Sequence, residues 1–382
     1  MYESVTIRRL DAFVYRCPID RPVATSFGIM RDRPAVFVRV EDADGGFGWG
    51  EIFANWPAAG AEHRANLLTK DIAHLVLGTR IEHPRELFQK LETETRIRAI
   101  QCGELGPFRQ VTAGLDIALW DLFARRAGVP LGRFLNSAAA DSVPAYASGI
   151  HIAGAEELIG AAREKGFLSF KVKVGFDLEQ DAAATRAISQ SLQSEERLFT
   201  DANQAWDLPA AKTFVDRLSG SEIGWLEEPL PVDAPEDDWR ALAAASGIPL
   251  AGGENIAGFA EFKSAMSVGA LSIYQPDVAK WGGVTGCYDV ARQAIRAGYT
   301  YCPHFLGGGI GLLASAQLLA AVGGSGLLEV DINPNPLRDA IADADGSVGS
   351  GWWQISNAPG LGIEELPASL AEFETLRTSQ SL

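Results

Sequence analysis

The chain has 382 residues, with 33 basic against 49 acidic side chains and a net charge of -16. That length exceeds one ordinary domain and suits a barrel of roughly 200 to 250 residues plus a second unit. The acidic balance repels nucleic acid and anionic membrane alike, the opening MYESVTIRRLDAFVYRC has no apolar signal core, and no run reaches the ~18 apolar residues of a membrane span. A cytoplasmic protein acting on a small molecule is expected. Cys17, Cys102, Cys287 and Cys302 are scattered without CxxC spacing, which argues for reduced thiols and against a zinc site or disulfide framework.

Residues 6–50 alternate apolar and polar with a turn at Asp44-Gly45-Gly46, the pattern of an antiparallel sheet ending in Gly48-Trp49-Gly50-Glu51. Helical periodicity follows over 61–78, 84–100 and 107–127, stopped at Gly128. These elements make an α+β capping domain over 1–135. From 136 to 340 the chain alternates short apolar strands (VPAYASG, FKVKV, RLFTDAN, GWLEEPL, PLAGGEN, SIYQPDV, YTYCPHF and LLEVD) with alanine-rich helical segments. Eight strands and about seven helices predict an α/β fold, a (β/α)7β modified TIM barrel. Residues 341–382 form a C-terminal segment, in which GWWQISNAPGLGIE reads as a hairpin returning to the capping domain.

Nearly every barrel strand ends in a charged residue able to do chemistry: Lys171 and Lys173, then Asp201, Glu227, Glu254, Asp277, His304 and Glu329. In such barrels the strand ends converge on one mouth. Asp201, Glu227 and Glu254 close three consecutive strands, and three carboxylates so close repel unless a cation neutralises them. Each alone reads as a helix cap, but three at one register favour hard oxygen ligation of Mg2+. Glu228 alternates with Glu227 and is expected to point away. Lys171 and Lys173 share the interior face, where burial and a neighbouring cation lower a lysine pKa enough to make a base. Asp277 and His304 end adjacent strands, an arrangement that orients an imidazole for acid/base work. His63, His74, His83 and His151 lack such a partner and read as surface or packing residues. Lys280, three residues past Asp277, reads as a loop residue leading into a helix. Gly307 to Gly309 and Gly311 read as a loop that starts a helix rather than a phosphate cradle.

Lys171-Val172-Lys173, Asp201-Ala202-Asn203, LEEP, GGEN, QPDVAKWGG, PHF and LLE, with GWGE, GLDIALWDL and PGLGIE toward the two ends, resemble the enolase superfamily and within it the mandelate racemase subgroup. The resemblance implies Asp201, Glu227 and Glu254 as Mg2+ ligands, Lys173 as base on one face, and His304 with Asp277 as the acid/base pair on the other. It further implies that Lys171 and Asn203 bind the substrate carboxylate and that Glu329 hydrogen-bonds it as a protonated acid. The first reaction step it implies is proton abstraction next to a carboxylate. Dehydration of a sugar acid to a 2-keto-3-deoxy acid is the expected outcome, with racemisation or sugar-lactone cycloisomerisation as alternatives and a non-catalytic sugar-acid-binding barrel as a remote one. Loops at 21–33 and 53–56 are expected to close over the mouth, with Arg31, Arg33, Trp56, Trp281 and Phe305 contacting substrate. A homo-oligomer is expected.

Overall fold

The computed structural model describes residues 4–342 and 348–382. Its first unit is built on an antiparallel sheet in which Val5–Thr25 pairs with Gly28–Asp42, and that strand with Phe47–Ile52. Side-chain alternation makes this sheet serve two cores. Val36, Val38 and Val40 face the helices of the first unit, while Ala35 and Phe37 join the barrel core. The helix Leu105–Arg126 lies directly on the sheet: a Cβ on Gly48 would stand 2.0 Å from Ala118 O, and one on Gly50 2.1 Å from Gly114 O. Only glycine permits that approach, which explains the GWG spacing.

Residues 21–33, expected as a loop, are the arms of a long hairpin. The two strands continue past a register break between Pro18 and Val23 and turn at Ser26 and Phe27. Pro18 and Pro22 bound the break, where the missing amide N–H groups interrupt the ladder.

The barrel strands are, in order, Ser142–His151, Ser169–Lys173, Arg197–Asp201, Leu226–Glu227, Leu250–Gly252, Ile273–Tyr274, Thr300–Tyr301 and Leu328–Asp331. Consecutive strands one to seven pair in parallel and strand eight pairs with strand one. Among the described residues seven helices separate them: Ala155–Glu164, Leu178–Ser191, Leu208–Arg217, Glu236–Ala245, Phe259–Val268, Gly283–Arg296 and Gly309–Val322. The last is apolar on every side because it is buried between the barrel and the first unit. Tyr146, Phe199, Trp225, Ala251, Ile273, Cys302 and Leu327 plug the interior. Phe199 and Trp225 stack at 3.6 Å, with Tyr146 edge-on to both. This apolar floor excludes water from beneath the charged layer above it.

The hairpin expected near the C-terminus exists as Val348–Gly349 and Trp352–Gln354, but it pairs antiparallel with the start of barrel strand one. A separate strand, Glu374–Ser381, reaches the first sheet and pairs with Val5–Thr25. No helix among the described residues is long and apolar enough to cross a membrane.

Candidate active site

Above the aromatic floor, Lys171 is buried and its ammonium donates to both oxygens of Glu227 at 2.7 and 2.8 Å, and lies 2.7 Å from Glu329 Oε1. Lys173, two residues on and facing the same way, donates to Asp201. Glu227 Oε2 also takes the Gln275 amide at 2.7 Å and the Trp225 indole at 3.2 Å. Burial pulls both ammonium groups down, but the carboxylates outweigh it. Glu227 and Glu329 hold Lys171 well above the ordinary lysine range, and Asp201 holds Lys173 above it. With the counter-charges packed against the amines both groups are raised, whereas the expected lowering belongs to an arrangement in which a cation draws those carboxylates away. Burial likewise opposes the charge on Asp201, yet Lys173 and Lys171 keep it below its ordinary value. Burial and the Asp201 charge push Glu227 up to about 7.

On the other side, His304 Nδ1 faces Asp277 Oδ2 at 2.7 Å, and its Nε2 faces Glu254 Oε2 at 3.0 Å. Asp277 and His304 are bridged through their backbones, and Asp277 Oδ1 takes the N–H groups of Ala279 and Lys280. Burial lowers the imidazole, but Glu254, Glu329 and Asp277 raise it well above the usual range. Glu329 accepts from Ser148 Oγ at 2.6 Å and from the Phe305 N–H at 3.0 Å. Burial opposes its charge too, but Lys171 and His304 hold it below the usual carboxylate value.

Several expected substrate contacts lie elsewhere. Arg33 is buried with only 2% exposure and pairs with Asp331 Oδ2 at 2.7 Å, tying the hairpin to the end of barrel strand eight. It is committed to that seam and is not a free lid residue. Trp281 is enclosed by Phe259 and Phe262 in the helix layer, away from the mouth. The Phe305 ring is buried over Gly307 and Gly311, and only its N–H serves the site. Arg31 is exposed on the hairpin arm without a partner among the described residues. Trp56 is half-buried against Phe27 at 5.9 Å and against Gly28. Asn203 is buried with a left-handed backbone, φ 43, and its carbonyl accepts from Ser26 Oγ of the hairpin tip at 2.6 Å. The hairpin therefore touches the end of barrel strand three.

The structure adds three residues to the mouth. Glu228 was expected to point away, but its φ of 39 breaks the strand alternation, and its buried carboxylate feels the Glu254 charge. Lys280, read as a loop residue, donates to Glu254 Oε2 at 3.2 Å and Asn255 Oδ1 at 2.7 Å. His151 ends strand one in register with Lys173 and lines a cavity of about 240 Å³ with Arg21, Val23, Gly149 and Asn333 under the hairpin. Its place at a strand end was the signal available in the sequence. A second cavity, about 450 Å³, is walled by Trp239, Ile256 and Leu271 with Glu228 and Asn255; none of Lys173, Asp277 and His304 lines it.

The acids at the mouth are Asp201, Glu227, Glu228, Glu254, Asp277 and Glu329, and the cationic groups are Lys171, Lys173, Lys280 and His304. Burial, and then the Glu254 charge, push the Glu228 carboxyl well above the usual range, and Glu227 stands at about 7, so the four cationic groups balance most of the acids as placed. Asp201 and Glu227 are register partners, and Glu227 pairs with Ala251, three residues before Glu254. As placed, no three acid, imidazole or thiol groups among the described residues are gathered tightly enough to hold an ion. The ammonium groups occupy the acids instead. The donor set, made of carboxylate oxygens at consecutive strand ends, fits a hard divalent cation once those ion pairs open.

Two family models cover most of the chain. Residues 9–135 match the mandelate racemase / muconate lactonizing enzyme N-terminal domain, and residues 154–368 the enolase C-terminal domain-like family. The chain belongs to the mandelate racemase/muconate lactonizing enzyme family. A crystal structure described as a member of this family, from Bordetella bronchiseptica RB50, superposes with a TM-score of 0.91 at 46% identity, covering 97% of this chain and 99% of that one. A racemase from Streptomyces coelicolor A3(2), solved with bound magnesium, gives a TM-score of 0.85 at 25% identity over 97% and 100%. Among characterised relatives, D-galactarolactone cycloisomerase of Agrobacterium fabrum is 29% identical over 93% of this chain and 95% of its own. Arabinonate dehydratase of Saccharolobus solfataricus is 28% identical over 86% and 87%. Family members of this kind thus include sugar-acid dehydratases, cycloisomerases and racemases.

Proposed function

We propose that this protein is a Mg2+-dependent enzyme that removes the proton α to the carboxylate of an acid sugar and expels the oxygen on the neighbouring carbon. The carrying observation is the pair of opposed basic groups: Lys173 on barrel strand two and the His304–Asp277 pair on strands seven and six, with carboxylates between them. Asp201, Glu227 and Glu254 would hold the cation, which supplies positive charge to the developing enediolate oxygens and to the lowering of nearby ammonium pKa values. Lys171, beside Glu329 at the base of the site, is placed to bind the substrate carboxylate, and the free Asn203 amide to assist. Lys173 takes the α proton, the electron pair passes into the carboxylate, and its return expels a β-hydroxyl that leaves as water with a proton from His304. The enol product tautomerises to a 2-keto-3-deoxy acid.

Dehydration is the first reading, supported by the arabinonate dehydratase likeness and by an acid group facing the base. The second is cycloisomerisation of a sugar lactone, in which the ring oxygen is the leaving group and no water is lost; the 93% span of the galactarolactone cycloisomerase match favours it. Incubating purified protein and Mg2+ with a library of aldonic and aldaric acids and their lactones in deuterated water tests both. A dehydratase yields a carbonyl compound lighter by one water with deuterium at C3. A ring-opened isomer formed from the lactone alone selects the second reading, and the absence of both product and α-proton exchange with every acid and lactone overturns the proposal.

A further inference from the structure

Lys280 has no part in the chemistry assigned above, yet it is held from three sides at the mouth. Its ammonium is half-buried between Asn255 Oδ1 at 2.7 Å and Glu254 Oε2 at 3.2 Å, and it stands 5.2 Å over the Phe53 ring of the first unit. Asn255 in turn donates from Nδ2 to both oxygens of Glu228, at 3.0 and 2.9 Å. The backbone on either side is fixed as well. The Phe53 N–H donates to Ala279 O at 3.3 Å, and the Lys280 N–H donates to Asp277. One amine therefore binds together two neighbouring acids, Glu254 directly and Glu228 through Asn255. The Glu254 charge disfavours a second charge on Glu228, so a cation placed between the two eases their crowding whether or not a metal is present.

We propose that Lys280 is a positioning residue that stands in for the divalent cation, holding Glu254 and Glu228 side by side while the cation is away and yielding Glu254 when it arrives. This rests on reading Glu254 as a cation ligand. The consequence follows from linkage: a group that stabilises the cation-free fold more than the cation-bound fold weakens cation binding by the same factor. Lys280 thus competes with Mg2+, and removing its charge tightens Mg2+ binding while weakening the cation-free protein. A residue that merely orients Glu254 or fills space has the opposite effect or none.

The test is calorimetric titration of EDTA-stripped full-length protein with MgCl2, paired with thermal unfolding with and without saturating Mg2+. Lys280→Met is expected to bind Mg2+ about tenfold more tightly than wild type. It should unfold at lower temperature than wild type without Mg2+ and close to wild type with it. Lys280→Gln, which keeps a donor for Asn255, should behave the same way if the methionine variant folds poorly, and Lys280→Arg should restore both wild-type values. Weaker Mg2+ binding by either uncharged variant overturns the proposal, as does an equal loss of melting temperature with and without Mg2+ at unchanged affinity. Wild-type protein that binds no Mg2+ overturns it through the ligand reading, and that failure is visible before any variant is measured.

Discussion

Two groups of buried acids in this molecule are satisfied in opposite ways. At the barrel mouth, Asp201, Glu254 and Glu329 are faced by Lys173, Lys280, Lys171 and His304, and despite burial they sit below their ordinary pKa values. In the seam between the first unit and the barrel, Glu51 takes the N–H groups of Gly308 and Gly311 at the start of helix Gly309–Val322. Asp116 takes the N–H and hydroxyl of Thr285 at 2.8 and 2.7 Å at the start of helix Gly283–Arg296. There burial prevails, and Glu51 and Asp116 are each pushed up to about 7. For these three mouth acids full opposite charges outweigh desolvation, whereas the amide dipoles of the seam do not; Glu227, crowded by Asp201, is the exception at the mouth and is pushed up to about 7 despite Lys171. The mouth is a set of exchangeable ion pairs, whereas the seam acids fix the first unit on the two helices that follow Asp277 and His304.

The comparison breaks first if the mouth is only structural. Lys173→Ala and His304→Asn should each reduce turnover of an accepted acid sugar by about 10²- to 10⁴-fold. Each variant leaves a buried carboxylate without its partner, so its melting temperature should be measured alongside the rate to separate loss of chemistry from loss of fold. Near wild-type rates in both would remove the mouth from the chemistry. Chelation should likewise abolish turnover and Mg2+ restore it, and Glu227→Gln should weaken Mg2+ binding in a calorimetric titration.

The seam should answer to packing instead of cation content. A Cβ on Gly50 would meet Gly114 O at 2.1 Å and Ala118 N at 2.9 Å, backbone atoms that cannot swing aside. Gly50→Ala is therefore expected to cost about 3 kcal/mol of stability. Thermal unfolding should show the same loss with and without Mg2+. A loss that Mg2+ reverses would mean that seam and mouth are one coupled unit.

The sequence exposed the mouth better than its surroundings, for a physical reason. Barrel strands are apolar inside, so a charge at the end of each, from Lys173 to Glu329, has no packing explanation and stands out. Past the strand end the two-residue alternation lapses: Glu228 turns inward through a left-handed backbone, and Lys280 reaches back from a helix start. Neither direction is encoded in spacing. Trp281 and Phe305 were read as mouth residues because they neighbour Lys280 and His304 in the chain, but their rings turn into the packed interior. The strand Glu374–Ser381 was invisible because ETLRTSQS lies half-exposed on a sheet edge and carries no apolar period. Arg33 illustrates the reverse error, since a charged residue in a stretch read as a loop was expected to contact substrate and proved to be buried in an ion pair.

The smallest effect distinguishes the two acid sets most directly, through pH. Glu51 and Asp116 rise to about 7 from ordinary values of 4.5 and 3.8. The folded protein therefore holds protons in that interval that the unfolded chain has released. Stability contributed by these protons is complete below about pH 4, declines as pH rises toward 7 and is gone above it, at up to about 1.4 kcal/mol per pH unit for each group. Glu51→Gln removes one such group and leaves a single acceptor oxygen for two N–H donors, a loss of about 1 kcal/mol. The variant should be less stable than wild type at pH 5, with the gap shrinking by pH 8, where wild type carries a buried charge that the amide lacks. Denaturant unfolding at the two pH values in EDTA reads the difference. Acids held below their ordinary values, as Glu254 is, carry the opposite sign: their stability is present above about pH 4 and is lost on acidification. A Glu51→Gln curve parallel to wild type from pH 5 to 8 would mean that Glu51 stays ionised across the range, and the contrast between seam and mouth would then rest on packing alone.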